Sequence, residues 1–335
     1  MPLSWIYSKI IGARNLLYNR GIFDSFDLGA RTISIGNITA GGTGKTPLVA
    51  YIAEILAGRG EIVCILTRGY GRQNPKERVL VSDGQRILAK PREAGDEPFE
   101  LSQKLLGKAI VIADADRFGS GEWAKRRFGV TAFVLDDAFQ HRKVKRDIDI
   151  VCIDATDPFG GGMMLPAGRL REPSENLQRA NVIVLMAEQP IPYHLGLRRD
   201  IQDIAPDAFI FEALRSIRRC IPLEDFLVGQ TETGDRILSE KVFGFCGLGN
   251  PANFRGNLVR EGFQVSGMKA YGDHHRYNQQ DIVDIEKAAT EVKAVALLTT
   301  AKDAVKLGGL KFTIPCYVVA IELVFENPDG FAAMI

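Results

Sequence analysis

The chain has no excess of charge of either sign: 42 Lys and Arg stand against 41 Asp and Glu, a formal net charge of +1 over 335 residues. A nucleic-acid binder usually carries a basic excess or stripe, so this balance argues against one. Cysteine is sparse. The five, Cys64, Cys152, Cys220, Cys246 and Cys316, are scattered, odd in number and never spaced Cys-x-x-Cys. Most fall inside apolar, strand-like runs, which suits buried thiols in a reducing compartment and not a disulfide frame or a zinc site. No apolar run approaches the ~18 residues that a membrane span requires. Histidine is scarce, with four in the chain, and neither His nor Cys falls at metal-ligand spacing. Internal repeats and low-complexity tracts are absent. What remains is ordinary: 46% apolar and 25% charged residues, in a chain long enough for two domains with separate cores.

Against those absences stands one dense signal. The run Thr39-Ala40-Gly41-Gly42-Thr43-Gly44-Lys45-Thr46 follows an apolar stretch, Thr32–Ile35, that predicts a strand. It precedes Pro47–Leu56, which predicts a helix with proline in its first turn. Strand, glycine-rich loop, Gly-Lys-Thr and helix is the layout of a phosphate-binding P-loop. Glycine lets backbone N–H groups turn inward on an anion, and the helix N-terminus adds partial positive charge. In that layout Lys45 reaches the β- and γ-phosphates, and the Thr46 hydroxyl ligates Mg²⁺. The full spacing wants glycine five residues before Gly44, where this chain has Thr39. On its own the run also fits a glycine-rich turn that binds nothing.

Short apolar strands alternate with helices through the first half. Strands are predicted at Thr32–Ile35, Ile62–Leu66, Ala109–Ala113, Ala132–Leu135, Ile148–Ile153 and Val182–Met186, and helices at Leu48–Ala57, Glu97–Leu106 and Gly121–Phe128. This alternation predicts an α/β fold, a P-loop NTPase-type mainly parallel sheet flanked by helices. A break near Gln189-Pro190-Ile191-Pro192 precedes further strand-like runs at Val242–Phe245, Ala294–Leu298 and Cys316–Ile321. The expected organisation is an N-terminal segment 1–30, a P-loop domain 31–204 and a smaller C-terminal α/β domain 205–335.

Ligands of such sheets gather at the carboxyl ends of the strands, and the polar motifs obey that rule. Asp136 and Asp137 end the strand Ala132–Leu135, where a P-loop protein keeps an acid for the Mg²⁺ shell or the nucleophile. Gln140, His141 and Arg142 follow at the same rim. Asp96, in Gly95-Asp96-Glu97-Pro98, is either a helix cap or a carboxylate that takes a proton from a hydroxyl nucleophile. Tyr271-Gly272-Asp273-His274-His275-Arg276 is either a surface loop or a source of a carboxylate-backed general base. The glycines and two arginines of Thr67–Arg72, and the loop Leu165–Pro173, suit an anionic group.

The first twenty residues set Leu3, Ile6, Ile10, Ala13 and Leu17 at helical spacing with Trp5 and Tyr7 beside them, and their charges are Lys9, Arg14 and Arg20 with no acid. This pattern suits a helix in an anionic membrane surface, or one packed on its own domain. It lacks the cleavage site of a signal peptide.

Taken together the motifs resemble one family, the tetraacyldisaccharide 4′-kinases of lipid A biosynthesis. The resemblance rests on Ser34 to Pro47, Arg68-Gly69-Tyr70-Gly71, Gly95-Asp96-Glu97-Pro98 and Asp136-Asp137-Ala138-Phe139-Gln140-His141. It continues through Leu165-Pro166-Ala167-Gly168 to Arg171-Glu172-Pro173, Cys246 to Pro251, Asp273-His274-His275 and Thr300-Ala301-Lys302-Asp303. These run in family order from residue 34 to about 306, and the family shares the deviant Thr39. Two small departures occur: Thr67 where serine is usual, and Ala138-Phe139 where Gly-Leu is usual.

The resemblance implies an ATP- and Mg²⁺-dependent kinase of the 4′-hydroxyl of the acylated disaccharide 1-phosphate. It implies nucleotide binding by Thr39, Ala40, Gly41, Gly42, Thr43, Gly44, Lys45 and Thr46, with Lys45 also catalytic. Asp96 and His274 become a catalytic dyad. Thr46, Asp136, Asp137 and Glu172 become candidates for the metal shell. Arg68, Tyr70, Gln140, His141 and Arg171 become substrate-side or phosphate-side contacts. The helix at 3–20 becomes a peripheral membrane contact at the cytoplasmic face of the inner membrane of a Gram-negative-type bacterium. Nucleic acid and an obligatory protein partner are not implied. Two other readings compete. A P-loop switch or chaperone-type ATPase gives no role to Asp96, Arg68-Gly69-Tyr70 or Asp273-His274-His275. A kinase of a soluble metabolite leaves the N-terminal stripe unexplained.

Overall fold

The structure, a computed structural model, describes residues 2–41, 43–187, 195–230, 233–249, 251–273 and 275–335. The expected break at Gln189–Pro192 and the motif positions Gly42, Asn250 and His274 lie outside the described residues.

Described strands, in chain order, are β1 (Arg31–Gly36), β2 (Val63–Thr67), β3 (Val79–Ser82), β4 (Ala109–Ala113), β5 (Ala132–Leu135), β6 (Ile148–Asp154), β7 (Val182–Ala187), β8 (Phe209–Pro222), β9 (Lys241–Cys246), β10 (Gln264–Ala270), β11 (Ala296–Thr300) and β12 (Cys316–Phe325). All join one sheet of order β10-β9-β11-β12-β8-β7-β6-β1-β5-β2-β4-β3. The two halves of the chain therefore share a continuous sheet. Pairing is antiparallel at β3–β4 and β8–β12 and parallel at the other strand pairs.

The six strands expected in the first half correspond to β1, β2, β4, β5, β6 and β7. They are legible because helices cover both sheet faces, so nearly every side chain is buried and apolar. The helix Lys45–Gly58 lays Leu48, Val49, Ile52, Ala53 and Leu56 against one face, in a core with Ile33, Ile65 and Val134. The opposite face holds Leu66, Phe133 and Leu135 on one side of β1 and Ile153, Ile183 and Leu185 on the other. The second half builds its own two cores, around Phe245, Ile285 and Leu297 and around Val242, Leu258 and Leu298.

β8 joins the halves. Its first part pairs with β7 from Phe209 to Leu214, and from Ala213 to Pro222 it runs antiparallel to β12. β12 carries the chain back, so Leu323, Phe325, Phe331 and Ile335 end in the core of the first half. A single cut in the sequence thus does not separate the two lobes.

Because β1, β2, β4, β5, β6 and β7 are parallel, their carboxyl ends share one edge. There the chain continues into Asn37–Lys45, Arg68–Arg72, Asp114–Arg117 and Asp136–Arg142. The polar motifs converge by topology.

Candidate active site

The loop after β1 turns through Gly41 (φ 124°) and Gly44 (φ 81°), both in the left-handed region, and passes straight into the helix that starts at Lys45. Positive φ at Gly44 is what lets the chain enter the helix without a side-chain clash. Behind it, Ala40 N donates to Arg169 O at 2.6 Å and Arg171 N to Ile38 O at 2.7 Å, so the loop 165–171 braces the phosphate loop. Lys45 Nζ stands 3.2 Å from Asn37 Oδ1 and 3.4 Å from Asp137 Oδ1. Asn37 Nδ2 in turn donates to Thr39 O at 2.6 Å. Gly36 has no room for a side chain, since a Cβ there would sit 2.6 Å from the N and Cβ of Phe139. Phe139 itself is fully buried, so the departure from the usual leucine is spent on packing.

Asp136 and Asp137 end β5 in different electrostatic roles. Asp136 is buried and accepts from Thr67 Oγ1 at 2.7 Å. Burial, then the charge of Asp137, pushes its carboxyl upward. Asp137 has φ 47°, a strained conformation that Asp tolerates better than most residues. Arg171 Nη1 grips its carboxylate at 2.8 and 3.0 Å. Burial alone would raise the Asp137 carboxyl, but Lys45 and Arg171 outweigh it and hold it below the usual range. Arg117, buried beneath both acids, donates from Nη2 to Asp136 O at 2.5 Å and to Asp137 O at 3.4 Å.

Asp96 is not a cap. The cap position of the helix Asp96–Lys104 is Gly95, and Asp96 is its first helical residue. Gly95 (φ 91°) and Gly69 (φ 68°) allow two backbones to touch: a Cβ at Gly95 would meet Tyr70 O at 2.7 Å, and one at Gly69 would meet Ala94 O at 2.8 Å. The Arg68–Gly71 loop is thereby laid against the start of the Asp96 helix. Arg68 and Tyr70 remain exposed there, the guanidinium 5.3 Å from the ring centroid. Arg72 is different from the expectation of an anion ligand. It is buried, and donates to Ala113 O, Pro75 O and Glu77 O, so it shapes the loop.

The second lobe approaches Asp96 through the segment after β11. Lys306 Nζ lies 3.5 Å from Asp96 Oδ2 and 3.1 Å from Asp303 Oδ1, and Lys302 Nζ lies 2.9 Å from Asp273 Oδ1. Asp273 precedes His274. The neighbouring His275 stacks on Tyr271 at 4.4 Å and pairs Nε2 with Asp281 Oδ2 at 3.1 Å, a local structural use.

At the rim, Gln140 Nε2 donates to Asn37 O at 2.9 Å. Burial first, then Arg117 and Arg146, drives His141 down to about 3, so its imidazole is neutral. Glu172 is fully buried, and its Oε2 accepts from Asn15 Nδ2 (3.2 Å), Asn176 Nδ2 (2.7 Å) and Arg179 Nη2 (2.8 Å). It is built into the seat of the N-terminal helix.

That helix, Pro2–Asn19, docks with its polar side. Ser4 Oγ accepts from Ala167 N (3.0 Å), Tyr7 Oη donates to Arg171 O (3.1 Å), Arg14 Nη2 to Gln140 O (2.5 Å) and Arg142 Nη1 to Asn15 O (3.1 Å). Its apolar stripe points away: Leu3 is 66% exposed, Trp5 65%, Ile6 47% and Ile10 59%. No described helix is long and apolar enough to cross a membrane.

The structure thus brings Lys45, Asp136, Asp137, Gln140 and Arg171 together, with Asp96 across the helix start. Glu97 is half-buried, its carboxyl is pushed upward by desolvation and then by Asp136, and it also feels Lys302 and Lys45, which links the two groups of charge. Sequence reasoning gave no role to Asn37, Glu97, Arg117 or Lys306. The available signal was position: Asn37 directly follows β1, and Arg117 opens the helix four residues beyond the end of β4. A Mg²⁺ ion fits the residues present. Thr46 and the acid pair offer hard oxygen donors. Among the described residues no group of three or more His, Cys, Asp or Glu could hold a metal ion.

A sequence-family model described as tetraacyldisaccharide-1-P 4′-kinase matches residues 1–335. The curated tetraacyldisaccharide 4′-kinase of Desulfotalea psychrophila is 37% identical over 318 residues, covering 94% of this chain and 89% of its own. That of Halothermothrix orenii is 36% identical, covering 99% and 90%. Among solved structures, the crystal structure of "apo" form LpxK from Aquifex aeolicus in complex with ATP superposes with a TM-score of 0.77 at 30% identity, covering 99% of this chain and 96% of that one.

Proposed function

Because the chain belongs to the tetraacyldisaccharide-1-P 4′-kinase family, we propose that it moves the γ-phosphoryl group of ATP onto the 4′-hydroxyl of an acylated disaccharide 1-phosphate, the lipid A precursor. The observation that carries this reading is the Lys45–Asp137–Arg171 cluster, at 3.4 and 2.8 Å, standing at the mouth of a glycine-lined helix N-terminus. Backbone N–H groups of residues 39–46 hold the triphosphate, and Lys45 and Arg171 neutralise charge on the transferring group. Thr46 and one acid of the 136/137 pair would hold Mg²⁺, which would supply further neutralisation of phosphate charge.

Asp96 takes the proton of the 4′-hydroxyl as the oxygen–phosphorus bond forms and the bond to the β-bridging oxygen breaks, releasing ADP. His274 is its partner in this reading. Arg68 and Tyr70 face the sugar and its phosphate. His141 stays neutral and helps shape the rim through the turn that carries Gln140. Two lobes, one with the phosphate loop and one with residues 241–316, enclose the reacting groups and limit hydrolysis. The docked N-terminal helix sets its apolar stripe outward, which supports a peripheral contact with the cytoplasmic face of the inner membrane.

The test is direct. Purified protein, ATP, Mg²⁺ and the disaccharide 1-phosphate should yield a product heavier by one phosphoryl group in mass spectrometry. Phosphorylation of a soluble sugar with indifference to the lipid would overturn the reading.

A further inference from the structure

We infer that Lys306 is the positioning residue of the proton-accepting carboxylate: it orients Asp96 and completes it electrostatically from the opposite lobe. This rests on the proposed role of Asp96. The ammonium is nearly enclosed, with the side chain 9% exposed, and sits between Asp303 Oδ1 (3.1 Å) and Asp96 Oδ2 (3.5 Å). It is fixed from behind. Asp303 is fully buried, and its Oδ2 is bound by Thr300 Oγ1 (2.7 Å) and Gly247 N (3.0 Å). The ring of Tyr277 lies 5.9 Å from Nζ on another side. A lysine anchored so firmly in one lobe, with its remaining side toward a carboxylate of the other, defines where that carboxylate rests.

The chemistry calls for such a group. Asp96 must be ionised to accept a proton, yet it stands beside an acid cluster. Burial and the charge of Asp136 push the adjacent Glu97 carboxyl upward. Lys306 sets a fixed positive charge 3.5 Å from Asp96 Oδ2. Lys306 remains an ammonium throughout, and the proton passes only from the 4′-oxygen to Asp96. One short segment serves both sides of the proposed pair, since Lys302 holds Asp273, the residue before His274.

The experiment is a double-mutant cycle on the full chain, with kcat, KM for ATP, fluorescent-nucleotide affinity and thermal unfolding measured for each variant. Lys306→Met should lower kcat on the order of 10²-fold, the cost of a base displaced by about an ångström, with nucleotide affinity unchanged. Lys306→Arg, which keeps the charge, should recover most of the loss. In an Asp96→Asn background Lys306→Met should cost less than about threefold more, because residues acting as a unit are not additive. Full multiplication of the two losses, or a loss confined to ATP affinity, would mean that Lys306 serves the phosphates and would overturn the inference. So would a folded, ATP-binding Lys306→Met protein of ordinary kcat beside an inactive Asp96→Asn. If Asp96→Asn itself keeps full activity, the base assignment fails first and this inference with it. If Lys306→Met does not fold, Lys306→Gln takes its place: it must retain nucleotide affinity with a kcat that falls in the wild-type background and not in Asp96→Asn.

Discussion

Replacing Leu3, Ile6 and Ile10 together by serine isolates the outward stripe of the N-terminal helix. Burying a full Leu or Ile side chain contributes about 1.5–3 kcal/mol. These three are 66%, 47% and 59% exposed, so about half of that remains to be gained at a lipid surface. The triple variant should therefore forfeit about 3 kcal/mol of membrane affinity, or ~10²-fold in partition constant. Of the three cations expected to meet lipid, Arg14 is engaged with Gln140 O, which leaves Lys9 and Arg20 at about 1 kcal/mol each, so residual binding should persist at low salt. The assay is sedimentation with vesicles of anionic phospholipid, alongside turnover on vesicle-borne and on detergent-dispersed substrate. Vesicle binding and turnover on vesicle-borne substrate should fall, while ATP affinity and turnover on dispersed substrate stay near wild type, because Ser4, Tyr7, Arg14 and Asn15 still dock. Unchanged vesicle binding, or an equal loss of ATP affinity, would refute the reasoning.

Lys45→Ala should cut kcat by at least ~10³-fold, since it removes charge stabilisation at the transferring phosphoryl, and steady-state kinetics with a thermal-melt control checks this. Glu172→Ala should destabilise the fold by about 3 kcal/mol, because it removes the fully buried partner of the half-buried Arg179, 2.8 Å away. An unchanged melting temperature with a weakened Mg²⁺ dependence would instead return Glu172 to the metal shell. His141 is held neutral in the fold with its value near 3, below that of the unfolded chain, so the unfolded state gains protons first as pH falls below about 6.5. Stability should fall by about 2 kcal/mol between pH 7 and pH 5 from this residue, and His141→Gln should flatten that slope in urea titrations.

Much of the first lobe was legible because its physics is local. Strands buried on both faces must be continuously apolar, so β1, β2, β4, β5, β6 and β7 stood out, and a parallel sheet dictates that their polar followers share an edge. β8 and β10 were missed. β8 mixes buried, half-buried and exposed positions and β10 is half-buried with exposed ends, so no continuous apolar run marks either. β3 is a four-residue antiparallel edge strand without a signature of its own. The phosphate loop and the acid pair were readable as types of residue at fixed spacing. The division of labour within the pair was not, since it comes from Lys45 and Arg171 arriving from other elements. Arg72 shows the reverse case: its motif suggested a ligand, and only three carbonyls closing around it reveal a scaffold. Lys306 lies three residues beyond the Thr300–Asp303 motif and drew no role from pattern, because its partner Asp96 is 210 positions away in the sequence.

The β8–β12 ribbon has a mechanical consequence. Two hydrogen-bonded chains, not a single tether, cross between the halves, and each also belongs to the sheet on either side. Such a connection resists swivelling and yields mainly by flexing or twisting along its length, in the manner of a leaf spring. Any breathing of the cleft should then be small in amplitude and elastic in its return, and stiffening residues 213–222 should alter how fast product escapes before it alters how tightly nucleotide is held.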